Sequence, residues 1–374
     1  MSVWDRLIGQ PAAVAALQRA LDGASHAMTH AWLFTGPPGS GRSVAARAFA
    51  AGLQCTTGGC GACRACVLTL AGTHPDVHVV RTEQLSIGVD EVRELVRQAA
   101  LSPSSGRWQV VIVEDADRMT EKGADALLRA IEEPAPKTVW LLCAPTADDV
   151  VVTIRSRCRR VGLVTPSVAA VSELLESEGI APDQARFAAR VSQGHIGRAR
   201  AIATDPAVAA RRREILAIPA RLGDLGGCLE AASWVVRTAQ EDAADVVTRL
   251  NAAEKEKLSA VLGVVGGRTA RGAAGQLKEL EEQQNLRAKR LVRDGLDSVL
   301  LELTSYYRDV LVAQMGAGVA LVNPDYDEAV ARAAAGSTAE ATVARLDAIV
   351  GCRQALAANV APQLAFEALM VSLG

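Results

Sequence analysis

Three short stretches carry residue types whose spacing could do chemistry. In "FTGPPGSGRS", residues 34–43, Gly36 and Gly41 frame a turn that contains Gly39, and Arg42 and Ser43 follow. This is the pattern of a phosphate-binding loop, with arginine where the lysine usually stands. Glycines there let backbone N–H groups close on an anion, the helix start adds its positive end, and a serine hydroxyl can serve magnesium. Arg42 keeps the charge, but it is a wide planar fork where lysine is a compact ammonium. The loop therefore suits holding a nucleotide such as ATP with Mg2+ better than it suits chemistry on a γ-phosphate.

The second stretch is "CTTGGCGACRAC", where Cys55, Cys60, Cys63 and Cys66 are spaced C-x4-C-x2-C-x2-C. Four thiolates from one short loop fill the tetrahedron of a zinc ion and leave no position open for water, so such an ion is structural. The third is "VVIVEDADRM", residues 110–119, an apolar strand that ends in Glu114 and Asp115. Hydrolysing proteins of this kind present aspartate and then glutamate, the first for magnesium and the second to activate water. Here the order is reversed. Glu114 can still approach a metal through water, but Asp115 is one methylene short for a base, and a misplaced base costs orders of magnitude in rate.

Two basic runs complete the set. "TIRSRCRR", residues 153–160, reads either as a solvated edge or as an arginine presented to another subunit's phosphate. "GHIGRARA", residues 194–201, puts Arg198 at a helix start, which taken alone is a surface arginine. Cys143, Cys158, Cys228 and Cys352 lie in apolar or helical surroundings and read as buried thiols.

The elements that must position these residues are legible from apolar periodicity. Continuous apolar runs at 31–34, 76–80, 108–113 and 138–144, with a last strand near 161–164, fit strands buried on both faces. Helical patterns at 43–53, 90–100 and 124–133 alternate with them, which predicts a doubly wound α/β domain with a parallel sheet over residues 1–164. After Thr165 and Pro166 come short helices with glycine stops, giving a small helical domain at 165–208, and from 209 to 374 the pattern is helical throughout. The glycine-rich "GVVGGRTARGAAG", residues 263–275, reads as a flexible connection.

Composition narrows the function classes. Hydrophobic residues at 49% and charged residues at 22% fit a soluble globular chain, and its 374 residues suggest two or three domains. A formal net charge of -2 gives no global reason for nucleic-acid binding, and 3% aromatic residues offer few platforms for stacked bases. No signal peptide and no membrane span is evident, so a cytoplasmic protein is expected, in whose reducing surroundings cysteines serve metals rather than disulfides.

Taken in order, "DRLIGQ" (5–10), the glycine loop, the cysteine module after its helix, "AGTHPD" (71–76), "GVDEVREL" (88–95), the acidic strand, "ALLRAIEEP" (126–134) and "SRC" (156–158) resemble the bacterial DNA polymerase III clamp-loader family. That family lies within the AAA+ ATPases. The series covers the first 160 or so residues densely and the remainder only by length and pattern. Within the family the chain looks most like the delta prime branch, whose nucleotide site is degenerate, as Arg42, Glu114 and Asp115 are here. Two further departures are Ala144-Pro145-Thr146, where hydrolysing relatives carry a polar sensor, and the short gap between the first and second cysteines.

The resemblance implies an AAA+ P-loop domain with a zinc module, a small helical lid and an α-helical collar. It implies a place beside gamma/tau and delta subunits in a hetero-pentamer that opens the sliding clamp and sets it on primed DNA, with no membrane partner. Arg157 of "SRC" would be the arginine finger that completes a neighbouring gamma/tau ATP site, and Arg198 would match the family's second sensor arginine. Little ATPase activity of its own is expected. The alternative is an active AAA+ ATPase, a gamma/tau-like motor or another DNA remodeller such as a branch-migration helicase. The cysteine module argues against the helicase, and Arg42 with the reversed acids against the motor. A P-loop nucleotide kinase is more distant, since its lid and substrate arginines have no evident counterpart.

Overall fold

The computed structural model describes residues 2–23, 28–80, 86–261 and 273–374. The chain divides into two compact units, Met1–Thr204 and Asp205–Gly374.

In the first unit the strands β1 (Ala31–Thr35), β2 (Val77–Val80), β3 (Gln109–Val113), β4 (Thr138–Ala144) and β5 (Arg159–Gly162) form one sheet in the order β2-β3-β4-β1-β5. Every pairing is parallel. Successive side chains alternate between two apolar layers, as the two-residue period of a strand requires. Trp32, Phe34, Ile112, Leu141 and Cys143 pack on one face with Phe49, while Leu33, Val111, Val113, Trp140 and Leu142 pack on the other with Leu127 and Ile131.

The helices are α1 (Pro11–Leu21), α2 (Arg42–Gln54), α3 (Arg64–Ala71), α4 (Val89–Ala99), α5 (Glu121–Glu132), the single turn α6 (Val152–Arg155), and then α7 (Val168–Ser177), α8 (Pro182–Val191) and α9 (Ile196–Thr204). Side-chain caps fix where two of them begin: the Thr120 hydroxyl accepts from the Gly123 N–H at the start of α5, and Ser167 does the same for Ala170 at the start of α7. Because all five strands are parallel, the loops after β1, β3 and β4 leave the sheet at one edge. In such sheets that edge is where ligands bind.

Two details differ from the sequence reading. The last strand runs Arg159–Gly162 rather than near 161–164. Apolar periodicity misplaces it because Arg159 joins the strand by laying its guanidinium over the Trp32 ring, 5.6 Å from the centroid. Of the four cysteines read as buried thiols, Cys143, Cys228 and Cys352 are buried, but Cys158 is only half-buried, since it sits in the turn between α6 and an edge strand.

The second unit is helical: α10 (Pro206–Leu216), α11 (Leu225–Val261), α12 (Ala273–Gln314), α13 (Asp327–Gly336), α14 (Ala339–Ala357) and α15 (Pro362–Leu373). Leu300, Leu303, Val310, Phe366 and Met370 belong to its core. The buried Arg212 reaches Asn323 Oδ1 at 2.7 Å and Asp325 Oδ2 at 2.8 Å, and so ties α10 to the segment before α13. Residues 263–272 of the glycine-rich segment lie outside the described residues, and 273–275 open α12. Among the described residues no helix is long and apolar enough to cross a membrane.

Candidate phosphate loop and cysteine centre

The glycine loop joins β1 to α2. Gly39 and Gly41 take φ of +83° and +90°, which side chains disfavour, and a Cβ on Gly39 would stand 2.6 Å from the Cα of His195. The loop is tied on its outer side. The Gly36 N–H donates to Pro145 O (3.0 Å), and the Gln10 amide donates to Ser40 O (3.2 Å) and Val164 O (2.7 Å) while accepting from the Val164 N–H (3.0 Å). Gln10 thus pins the loop to the chain that leaves β5. Arg42 folds over the loop and donates to Gly36 O at 2.5 Å.

Glu114, at the end of β3, does not face the loop as an unengaged acid. Arg47 on α2 donates to its Oε1 through Nε (3.1 Å) and Nη2 (2.9 Å), and the Glu114 side chain is only 9% exposed. Burial first, and then the charge of Glu114, push the Cys143 thiol up to about 12, with Arg42 and Arg47 opposing. Burial also holds Asp117 above the usual carboxylate range, with Asp115 adding to the effect and Arg118 and Arg42 opposing it. Arg42, Asp115 and Asp117 are therefore electrostatic neighbours.

On α9 the Arg198 N–H donates to His195 Nδ1 at 3.2 Å. Burial and then the positive charges of Arg198 and Arg42 hold His195 below its ordinary value. Through His195 the structure brings Arg198, Gly39 and Arg42 together. Arg157 lies elsewhere: it pairs with Glu132 at the end of α5 (2.7 Å) and donates to Thr153 O (2.8 Å) and Ser156 Oγ (3.2 Å). Thr146 spends its N–H and hydroxyl on Asp149, each at 2.8 Å.

The four cysteines surround one point. Cys55 ends α2, Cys63 caps α3, and all four Sγ atoms lie within 4.8 Å of one another. Cys55 is 3.8 Å from both Cys60 and Cys63, the edge of about 3.8 Å that a tetrahedron with metal–sulfur bonds near 2.3 Å has. Backbone N–H groups of Thr57 (3.4 Å) and Cys60 (3.5 Å) point at Cys55 Sγ, and that of Cys63 (3.3 Å) at Cys60 Sγ. Burial opposes ionisation of Cys55, but these donors and the Thr57 hydroxyl outweigh it and draw the thiol down to about 5. The donor set fits one metal ion. The first residues of the chain cover the module, with Trp4 Nε1 donating to Gly58 O and the Val3 N–H to Gly59 O, both at 3.1 Å.

Sequence reasoning did not single out Gln10, Arg47, Glu132 or His195. The first, third and last sit in quoted motifs, "DRLIGQ", "ALLRAIEEP" and "GHIGRARA", and that was the available signal. Arg47 had none beyond its helix.

A parallel α/β domain with a glycine loop after β1 and acids after β3 defines the P-loop class. Residues 9–167 match the family described as "DNA polymerase III, delta subunit". The chain is 40% identical over 158 residues to the DNA polymerase III subunit delta' of Pseudomonas aeruginosa, a stretch that is 41% of this chain and 48% of that protein. It is 34% identical over 190 residues to the gamma/tau subunit of Mycobacterium tuberculosis, 48% of this chain and 32% of the relative. A solved DNA polymerase III gamma subunit-related protein from Thermotoga maritima aligns with 76% of this chain and 99% of its own at 16% identity and a TM-score of 0.37. The chain spans about half or less of the length of the curated relatives it matches. Over that span it is similar to the DNA polymerase III delta prime subunits, as the ordered motifs led us to expect.

Proposed function

We propose that the chain works as the delta prime subunit of a bacterial DNA polymerase III clamp loader. It would help a hetero-pentamer with gamma/tau and delta set the sliding clamp on primed DNA, in the cytoplasm at the replisome. In this reading Arg157 enters the ATP site of an adjacent gamma/tau subunit as an arginine finger, residues 165–208 act as a lid and 209–374 as the oligomerising collar. Zinc holds Cys55, Cys60, Cys63 and Cys66 together as a structural centre.

The observation that carries the reading is the condition of the local nucleotide site. Glu114 is engaged by Arg47, and Arg42 is folded onto its own loop. The acid that would serve magnesium is thus taken up by an arginine, whereas Arg157 remains 41% exposed on the turn after α6. An arginine in trans stabilises the charge that develops as a phosphoryl group leaves, and its loss elsewhere costs several orders of magnitude in turnover.

The test is a complex reconstituted from gamma/tau, delta and this chain. Arg157→Ala is expected to lower clamp- and DNA-stimulated ATP turnover by well over tenfold, while the isolated chain stays near background. Unchanged turnover with Arg157→Ala removes the finger assignment. Turnover by the isolated chain at the complex's rate removes the whole reading in favour of an active motor.

A further inference from the structure

The arrangement around Glu114 does not fit magnesium. In a P-loop site the metal is served by the loop's serine and by an acid at the end of another strand of the sheet, here β3. Here Ser43 and Arg47 stand one turn apart on the same face of α2, and helical side chains lean toward the helix N-terminus. The Arg47 guanidinium takes Glu114 Oε1 through two nitrogens at 3.1 and 2.9 Å. The acid that would serve the metal is already paired with a cation.

The loop nevertheless keeps features of an anion receptor. Arg42 hydrogen-bonds a neutral carbonyl, and among the described residues no carboxylate hydrogen-bonds its fork. Ser40 is 3% exposed, and its hydroxyl has no hydrogen-bond partner. That hydroxyl lies within the turn, 2.6 Å from where a Cβ on Gly36 would stand. A buried hydroxyl left unpaired costs free energy that a ligand oxygen would recover.

We propose that Arg47 replaces the divalent cation at this site, so that the loop receives the polyphosphate of a nucleoside di- or triphosphate without magnesium. The inference rests on the phosphate-loop part of the reading above and not on the finger. Arg42 and the loop N–H groups would meet the terminal phosphates, while Arg47 takes the metal's place as the partner of Glu114. Such a site holds nucleotide but has no metal to polarise the bond to the leaving group.

The test titrates the full chain with ADP and with ATP at matched ionic strength, once with excess MgCl2 and once with EDTA. Affinities are expected to agree within about threefold. Glu114→Gln separates the two kinds of site. It takes away the charge that neutralises Arg47, so metal-free binding should tighten by about threefold or more, whereas in a magnesium site losing the acid weakens binding. Arg47→Met should weaken metal-free binding by about tenfold and leave the remaining binding magnesium-dependent. Circular dichroism of each variant checks that it is folded.

The proposal is overturned by a tenfold or greater loss in EDTA for the unaltered chain, on the scale of about 1.4 kcal/mol per decade, or by weaker binding in folded Glu114→Gln. Absence of binding in both conditions overturns it too. Failure here is separable from failure of the clamp-loader reading. A chain that supports turnover through Arg157 yet needs magnesium sinks this inference alone, and loss of the Arg157 effect leaves it standing.

Discussion

Arg157 and Glu132 meet at 2.7 Å, with Thr153 O and Ser156 Oγ holding the other arm of the guanidinium. Three acceptors on α5 and the α6 turn therefore aim an arginine that is otherwise 41% exposed. An exposed pair of this kind is worth less than about 1 kcal/mol to the fold, because water and salt screen it. Its value lies in orientation.

Glu132→Ala should accordingly leave the melting temperature nearly unchanged. In the reconstituted complex it should lower kcat for ATP by about threefold to tenfold with little change in KM, a smaller loss than Arg157→Ala gives. Glu132→Asp, which keeps the charge, should recover part of it. A drop in melting temperature with no kcat effect would reassign Glu132 to stability alone.

The cysteine centre predicts about one zinc per chain by metal analysis. Cys60→Ser or Cys63→Ser should remove it and lower the melting temperature by several degrees, because the free energy of binding a structural metal is folding free energy. Retention also depends on pH. Metal requires thiolates, and burial holds Cys66 above its ordinary value, so protons compete and zinc should be lost more readily as pH falls. A metal-free chain that melts at the same temperature would falsify the structural centre.

Most of the sheet was legible because strands buried on both faces read as continuous apolar runs, and the glycine loop and cysteines because their residues are neighbours in the chain. What escaped comes from pairs far apart in sequence. Arg47 meets Glu114 across 67 positions and Gln10 meets Val164 across 154, and no local pattern announces either. β5 was misplaced for a related reason: Arg159 counts as polar in a periodicity, but its stem and fork are accommodated by Trp32. Glu114 was legible as an acid at a strand end, but its engagement was not.

Asp76 makes an acid-sensitive clamp. Its carboxylate, 2% exposed, accepts from the N–H and hydroxyl of Ser104 (2.6 and 2.7 Å), from those of Ser105 (2.9 and 3.2 Å) and from the Gly106 N–H (2.5 Å). Burial pushes its pKa up, but these donors overcome it and hold the carboxyl far below the usual range. A depressed folded value means that the carboxylate stabilises the fold fully above about pH 4, the unfolded value, and loses that contribution as pH falls toward the folded one. Asp76→Asn should cost about 1–3 kcal/mol at neutral pH and flatten the acid limb of the stability curve. Equal denaturation midpoints for both proteins at pH 7 would remove Asp76 from this role.

Gly39 is where the loop and α9 leave no room. The glycine holds φ at +83°, and a Cβ would stand 2.6 Å from His195 Cα and 2.7 Å from His195 Cβ, so the obstacle includes backbone that no rotamer change can clear. Gly39→Ala must therefore shift the start of α9 and carry Arg198 with it, in addition to the cost of about 1 kcal/mol for a side chain in the left-handed region. Gly41, also at a positive φ, meets only Val44 Cβ at 4.0 Å, so Gly41→Ala incurs the backbone cost without the collision. The pair isolates the contact between α9 and the loop. Gly39→Ala should lower the melting temperature more than Gly41→Ala, and hydrogen exchange at residues 196–204 should rise in the first variant alone. Equal effects on both measurements would mean that α9 does not depend on the loop for its seat.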